Sequence, residues 1–158
     1  VIFYEIAKSR IMKRALPFLA LLFLAGCQQI QKMTPTERRL VGEWQYTNVD
    51  YWPLWGFKED ITNEVDHLLL QFNEDFTMTL VDPELNESYT GIWEVNIVSV
   101  SGPNNTVNSA EELIASASND ITGEVIQIIW ENIGVTNSRI DADHDTKDGS
   151  FIYRLRKN

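Results

Sequence analysis

The apolar positions of this chain follow two periods. Thr34-Pro35-Thr36-Glu37 opens a short helical turn: Thr34 suits the cap, Pro35 the first helical position and Glu37 the third position of a capping box. After it the period changes to two. In Val41–Asp50, Trp44 and Tyr46 share one face and Glu43, Gln45 and Thr47 the other, the mark of a half-buried strand. His67–Asn73 alternates with Leu68, Leu70 and Phe72 on one face. Asn73-Glu74-Asp75 turns, and Phe76, Met78 and Leu80 return inward, which predicts a hairpin. Asp82–Glu87 is the next turn, and Tyr89, Gly91, Trp93 and Val95 line one face of a strand that bends near Asn96 into Ile97–Ser101.

Gly102-Pro103-Asn104-Asn105 reads as a loop. Ser109 then caps an expected short helix over residues 110–117, with Glu111 and Glu112 in its first turn. Gly123–Glu131 is apolar on both faces; Val135–Ile140 and Ser150–Lys157 follow, separated by an acidic turn. About eight short strands joined by turns predict an all-β fold, and an eight-stranded antiparallel up-and-down barrel closes them without leaving an unpaired edge.

One stretch breaks the alternation. Tyr51-Trp52-Pro53-Leu54-Trp55-Gly56-Phe57 is dense in rings but interrupted by Pro and Gly, so it predicts an apolar loop. Two placements fit. Tyr51, Trp52, Trp55 and Phe57 either lie over an open barrel mouth, where clustered rings hold a ligand or a partner, or fold in and plug the lumen.

Ahead of the domain, Lys13-Arg14 precedes an apolar run from Ala15 to Ala25, the length of a signal-peptide core and too short to span a bilayer. That run closes on Leu24-Ala25-Gly26-Cys27, which resembles a bacterial lipobox. The resemblance implies removal of residues 1–26, with Met12 as the expected start, and attachment of palmitate-type acyl chains to Cys27. Residues 27–33 are then a tether and residues 34–158 the domain. Gln28 stands where an Asp favours inner-membrane retention in enteric-type sorting, so the expected location is the outer membrane, facing the periplasm.

Composition narrows the reading. A hydrophobic share of 44% against 23% charged residues is that of a globular chain, and five Trp, five Tyr and seven Phe suit a pleated core. The net charge is −10. Without residues 1–26, nine basic and 22 acidic side chains remain, a charge of −13, which repels phosphate backbones and argues against nucleic-acid binding. Cys27 is the single cysteine, so no internal disulfide forms and acylation accounts for the thiol.

Asp141-Ala142-Asp143-His144-Asp145 is the most chemically suggestive run. Alternate carboxylates of Asp141, Asp143 and Asp145 open a calcium loop of EF-hand type, but Thr146 and Ile152 occupy its glycine and closing-acid positions. Weak calcium binding is one expectation and a solvated hairpin loop the other; no other cofactor is expected. No nucleophile elbow, His-centred triad or zinc spacing is present in the sequence, and no enzymatic activity is expected.

Several segments together resemble the lipocalin-like bacterial lipoproteins. They are Leu40-Val41-Gly42-Glu43-Trp44, the hairpin Leu70–Leu80 with Phe76 in place of its usual glycine, Gly91-Ile92-Trp93-Glu94-Val95, and the closing Phe151–Lys157. The resemblance implies a barrel in which Arg154 or Arg156 of the last strand packs on Trp44. It also implies a small apolar ligand in a lumen lined by Leu70, Phe72, Met78, Tyr89 and Trp93, beneath the 51–57 loop. The alternative is an accessory subunit of an envelope complex, with a side-chain-filled barrel and Trp52 or Trp55 outside.

Overall fold

The computed structural model describes residues 33–101 and 107–158. The leader, Cys27 and nearly all of the tether lie outside the described residues, as does the loop expected at 102–105.

Helix α1 (Pro35–Leu40) starts as its sequence requires. The Thr34 hydroxyl accepts from the Glu37 N–H, the Glu37 carboxylate accepts from the Thr34 N–H, and Pro35 sits in the first turn. The strands follow as β1 (Gly42–Pro53), β2 (Glu59–Asp60), β3 (Leu69–Phe72), β4 (Thr77–Asp82), β5 (Glu87–Ser101), β6 (Val107–Ser118), β7 (Val125–Val135), β8 (Arg139–Thr146) and β9 (Gly149–Lys157). A 3-10 turn covers Thr62–Glu64. Strands β1 and β3 to β9 pair antiparallel in chain order, and β9 returns to pair with β1 from Trp44↔Lys157 to Pro53↔Gly149, which closes an eight-stranded barrel. The two-residue β2 covers the part of the β1 edge that β3 leaves open, at Asp50 and Tyr51.

Alternation places the core inside. Leu70, Phe72, Met78, Leu113, Trp130, Ile140 and Leu155 are fully buried, and Leu40 of α1 closes one end with Trp44. A register shift between Tyr46 and Asn48 lets both Tyr46 and Val49 point inward. The outer face carries residues such as Glu43, Thr90, Ser116 and Arg156, the reverse of a membrane-spanning barrel, whose apolar side faces out.

Two positions show how locally the barrel is specified. Phe76 takes φ +63 in the β3–β4 turn, the left-handed conformation that glycine adopts most easily there. Its ring packs 5.1 Å from that of Trp93, so apolar contact offsets the backbone strain. Gly91 faces inward on β5, and a Cβ there would lie 1.9 Å from the Ser116 carbonyl oxygen.

Two expectations need correction. Residues 110–117 form part of β6, not a helix: Leu113, Ala115 and Ala117 point inward with period two, and β5 and β7 supply a partner on each edge. β5 and β6 pair from Thr90↔Ser118 out to Ser101↔Val107, whereas β4 accompanies β5 only as far as Ile92 and β7 accompanies β6 only from Leu113. The hairpin therefore continues past the α1 end as a two-stranded ribbon. The acidic run 141–146 is strand β8 itself, and the turn follows it at 147–148.

Candidate functional site

Antiparallel connectivity assigns each connection to one end of the barrel. The end opposite α1 gathers the β1–β2 loop and the β4–β5, β6–β7 and β8–β9 turns. Three of the four carry exposed apolar side chains: Leu54, Trp55 and Phe57 in the first, with half-exposed Trp52 beside them at the end of β1, Leu85 in the second and Ile121 in the third. Trp55 is 92% exposed, Phe57 90% and Ile121 94%, values at which a large apolar side chain makes almost no contact with its own domain. Leu85 and Ile121 face each other across a groove of about 530 Å³ between their turns.

The turns that present these residues are held by short polar contacts. The Asp82 carboxylate accepts from the Glu84 and Leu85 N–H groups, each at 2.9 Å, and His67 Nε2 lies 3.6 Å away. These donors, the Leu85 N–H foremost, hold the Asp82 carboxyl below its ordinary range. Asn119 does the same for the next turn, accepting from Ile121 and Thr122. The Tyr89 hydroxyl lies 2.8 Å from a Glu87 carboxylate oxygen and 3.1 Å from one of Glu124, joining β5 to the β6–β7 turn. The bond to Glu87 and burial push its ionisation up to about 12. On the first loop, the Lys58 ammonium pairs with buried Asp50 at 3.0 Å, and the Leu54 N–H donates to the Asp148 carbonyl at 3.1 Å.

The charge around the rim is acidic. Glu84, Asp120, Glu124 and Asp148 are exposed there, against Lys58 and Lys147. The rim is thus apolar at its tips and anionic between them.

The residues singled out in the sequence divide between two places. The stretch expected as an apolar loop is strand through Pro53, where Tyr51, Trp52 and Pro53 continue β1 against β9, and of its rings only Tyr51 turns in, stacking on Phe151 at 4.7 Å while its hydroxyl donates to the Asp148 carbonyl. Trp52, Trp55 and Phe57 stay outside, so the loop does not plug the lumen. Leu70, Phe72, Met78 and Trp93 belong to the core, with the Phe72 and Trp93 rings 5.4 Å apart edge to face. Side chains fill the space that an open lumen between these residues would need. Tyr89 is buried as well, its hydroxyl engaged by the two glutamates.

Lys157, and neither Arg154 nor Arg156, covers Trp44. Residues 153, 155 and 157 point inward on β9 while 154 and 156 point out. The Lys157 ammonium lies 5.2 Å from the Trp44 ring centre and donates to the Val41 carbonyl. The Trp44 indole N–H donates to the Leu40 carbonyl at 2.6 Å. Arg154 instead donates to the Asn48 side chain and approaches Asp50 and Asp141, each at 3.9 Å.

Asp141, Asp143 and Asp145 share one face of β8, where alternate residues stand about 6.5 Å apart and do not converge on a cation. Each has its own partner: Asp141 pairs with Arg139 at 2.7 Å, Asp143 accepts from Asn132 at 3.0 Å, and Asp145 accepts from the Ser150 hydroxyl. Among the described residues no group of three or more His, Cys, Asp or Glu is placed to hold a metal ion.

Leu54, Leu85 and Ile121 were not singled out in the sequence. Their signal was there: Leu85 and Ile121 stand in runs of turn-forming residues, where nothing in the chain's own pattern calls for an apolar side chain.

Fold and rim together define a closed, side-chain-filled antiparallel barrel with an apolar end. Comparison of the chain with protein-family models, with characterised proteins and with solved structures gives no significant match.

Proposed function

We propose that this protein is a lipid-anchored envelope lipoprotein whose barrel is an interaction module, docking through its apolar rim on a protein partner. The reading rests on one observation: exposed apolar side chains are concentrated on three connections at one barrel end. Clustered apolar exposure of this kind marks interaction surfaces. The lipobox-like Leu24-Ala25-Gly26-Cys27 supports the anchor, and Gln28 supports the periplasmic face of the outer membrane.

The acidic groups between the apolar tips select the partner. A bilayer bearing anionic headgroups is repelled by them, and so is a second copy of the same rim. An envelope protein with an apolar patch framed by Lys or Arg is complementary in both respects.

Photo-crosslinking in the native host tests the docking. Probes replacing Trp55 and Ile121 in the full-length protein are expected to trap one and the same protein species, and a probe at exposed Ile92 on the barrel wall none. Crosslinks to lipid, to a second copy, or equally from all three sites contradict the reading. Metabolic palmitate labelling that is lost in Cys27→Ser tests the anchor separately; labelling that persists in that variant contradicts it.

A further inference from the structure

The bases of this acidic domain are not spread evenly. Eight Lys and Arg side chains stand in the described residues, and Arg38, Arg39, Arg139, Arg156 and Lys157 gather where α1, the start of β8 and the end of β9 meet. Lys58, Arg139 and Arg154 approach carboxylates at 3.0, 2.7 and 3.9 Å. Arg38, Arg39 and Lys157 have no carboxylate partner among the described residues, although acids outnumber bases 23 to 13 along the chain.

These three border one cavity. Pro35, Arg38 and Arg39 lie three and four residues apart on α1 and so share one helix face. Asn137 of the β7–β8 turn and Lys157 of β9 complete the lining, around a space of about 370 Å³, within the range of small-ligand sites. Arg38, Arg39 and Asn137 are exposed, so the space is open to solvent. Backbone carbonyls hold the frame. The Arg39 guanidinium donates to Val135 at 3.4 Å, the Lys157 ammonium to Arg39 at 3.3 Å and to Val41, and the Lys157 N–H to Ser138 at 3.1 Å. Carbonyls fix these cations without neutralising them.

Acids of the same end have other partners. The Glu37 carboxylate accepts from the Thr34 N–H, that of Glu43 from the Asn158 side chain, and that of Glu111 from the Thr36 hydroxyl. No Asp or Glu lines the cavity. Its lining supplies two guanidinium groups, a lysine and an amide, a donor-rich set with no charge to answer it. Two planar guanidinium forks suit the several oxygens of a phosphoryl group, which accept from more than one direction.

We infer that this cavity binds a phosphomonoester anion, its oxygens received by Arg38 and Arg39 and its charge balanced further by Lys157. A cluster of this size seats one phosphoryl group and not a nucleic-acid backbone, which the net charge of −10 still repels. The inference is independent of the docking proposal, since the cavity lies at the α1 end and none of its residues belongs to the rim.

Three probes test it on the full-length protein in neutral detergent micelles: glycerol 3-phosphate, acetate, and a short-chain phosphatidic acid carried in the same micelles. Binding is measured by titration calorimetry at pH 7.5, with protein-free micelles as the blank. The tighter-binding phosphate probe is expected to bind about tenfold more tightly than acetate, and Arg38→Gln and Arg39→Gln each to weaken it about fivefold. Lys147→Gln, which removes the same charge at the opposite end of the barrel, is expected to leave it unchanged. A preference for phosphatidic acid assigns the anion to a lipid headgroup, and a preference for glycerol 3-phosphate assigns it to a soluble phosphomonoester; either supports the site. Equal affinity for acetate, no measurable binding of either phosphate probe, or a loss in Lys147→Gln equal to that in Arg38→Gln overturns the inference. Should Arg39→Gln fail to fold for want of its bond to Val135, the probe series on the unsubstituted chain and the Arg38→Gln comparison still decide it.

Discussion

The Lys157 ammonium sits 5.2 Å from the centre of the Trp44 ring and ties the last strand to the first at the α1 end of the barrel. The same ammonium donates to the carbonyls of Val41 and Arg39, so one side chain joins β9, β1 and the end of α1. Gly42 makes room for it: a Cβ there would lie 2.3 Å from Lys157 Cε.

Replacing Lys157 by Met keeps much of the stem but removes the charge and its hydrogen bonds. The expected cost is about 1 kcal/mol in urea unfolding, whereas exposed Arg156→Met should change stability by less than about 0.5 kcal/mol. Trp44→Ala, which empties a fully buried site, should cost about 3–5 kcal/mol. Equal effects of Lys157→Met and Arg156→Met contradict the closing role of Lys157.

Gly91→Ala and Gly134→Ala make a paired test of the wall. At Gly91 the new Cβ meets the Ser116 carbonyl and the Ala117 Cα, both backbone atoms that cannot swing away. At Gly134 the nearest atom is the Asp141 carbonyl oxygen at 3.8 Å, ordinary contact. Overpacking against backbone predicts a loss of about 3 kcal/mol or failure to fold for the first. The second should leave the melting temperature nearly unchanged.

Asp82 predicts an acid-side dependence. Its folded ionisation lies below the ordinary carboxyl value of 3.8, so the stabilisation it supplies is complete above that value and is lost as pH falls through the folded value. The melting-temperature advantage of the natural chain over Asp82→Asn should therefore be constant near neutrality and shrink below about pH 4. Tyr89 has the opposite sign: raised to about 12, it stabilises below pH 10 and ceases to as pH rises through 12. Ultraviolet titration should show one fewer tyrosine ionising near pH 10 in the natural chain than in the unfolded one for each phenol so held.

Trp55→Ser and Phe57→Ser should leave unfolding within about 0.5 kcal/mol of the natural chain, because neither ring is in contact with the core. A cost near that of a core truncation would mean that the rings hold the loop together and are not available to a partner.

Most of the barrel is legible in the period-two pattern, because each strand has one buried face and its alternation survives in the chain: Trp44 and Tyr46, Leu70 and Phe72, Met78 and Leu80. The misreading at 110–117 has a local cause. Ala-Glu-Glu-Leu-Ile-Ala-Ser-Ala has strong helix formers behind a good cap, and only the strands on either side override that propensity. β8 was hidden because its outward face is acidic from Asp141 to Asp145, so Asp141-Ala142-Asp143 reads as turn composition although Ile140 and Ala142 are buried. Whether the lumen is open or filled depends on side-chain volumes summed across eight strands, and no local pattern carries that sum. Leu85 and Ile121 escaped for a similar reason, since they reach the barrel end that carries the Trp55–Phe57 loop only once the chain has closed.

The size of the complex extracted gently from native host membranes tests the docking rim most directly. The natural lipoprotein is expected to migrate with a partner, above its own mass, and to be released by high salt. A folded Trp55→Ser, Phe57→Ser, Ile121→Ser triple variant is expected to migrate alone. A natural lipoprotein that migrates alone, or a triple variant that stays in the larger complex, contradicts the account.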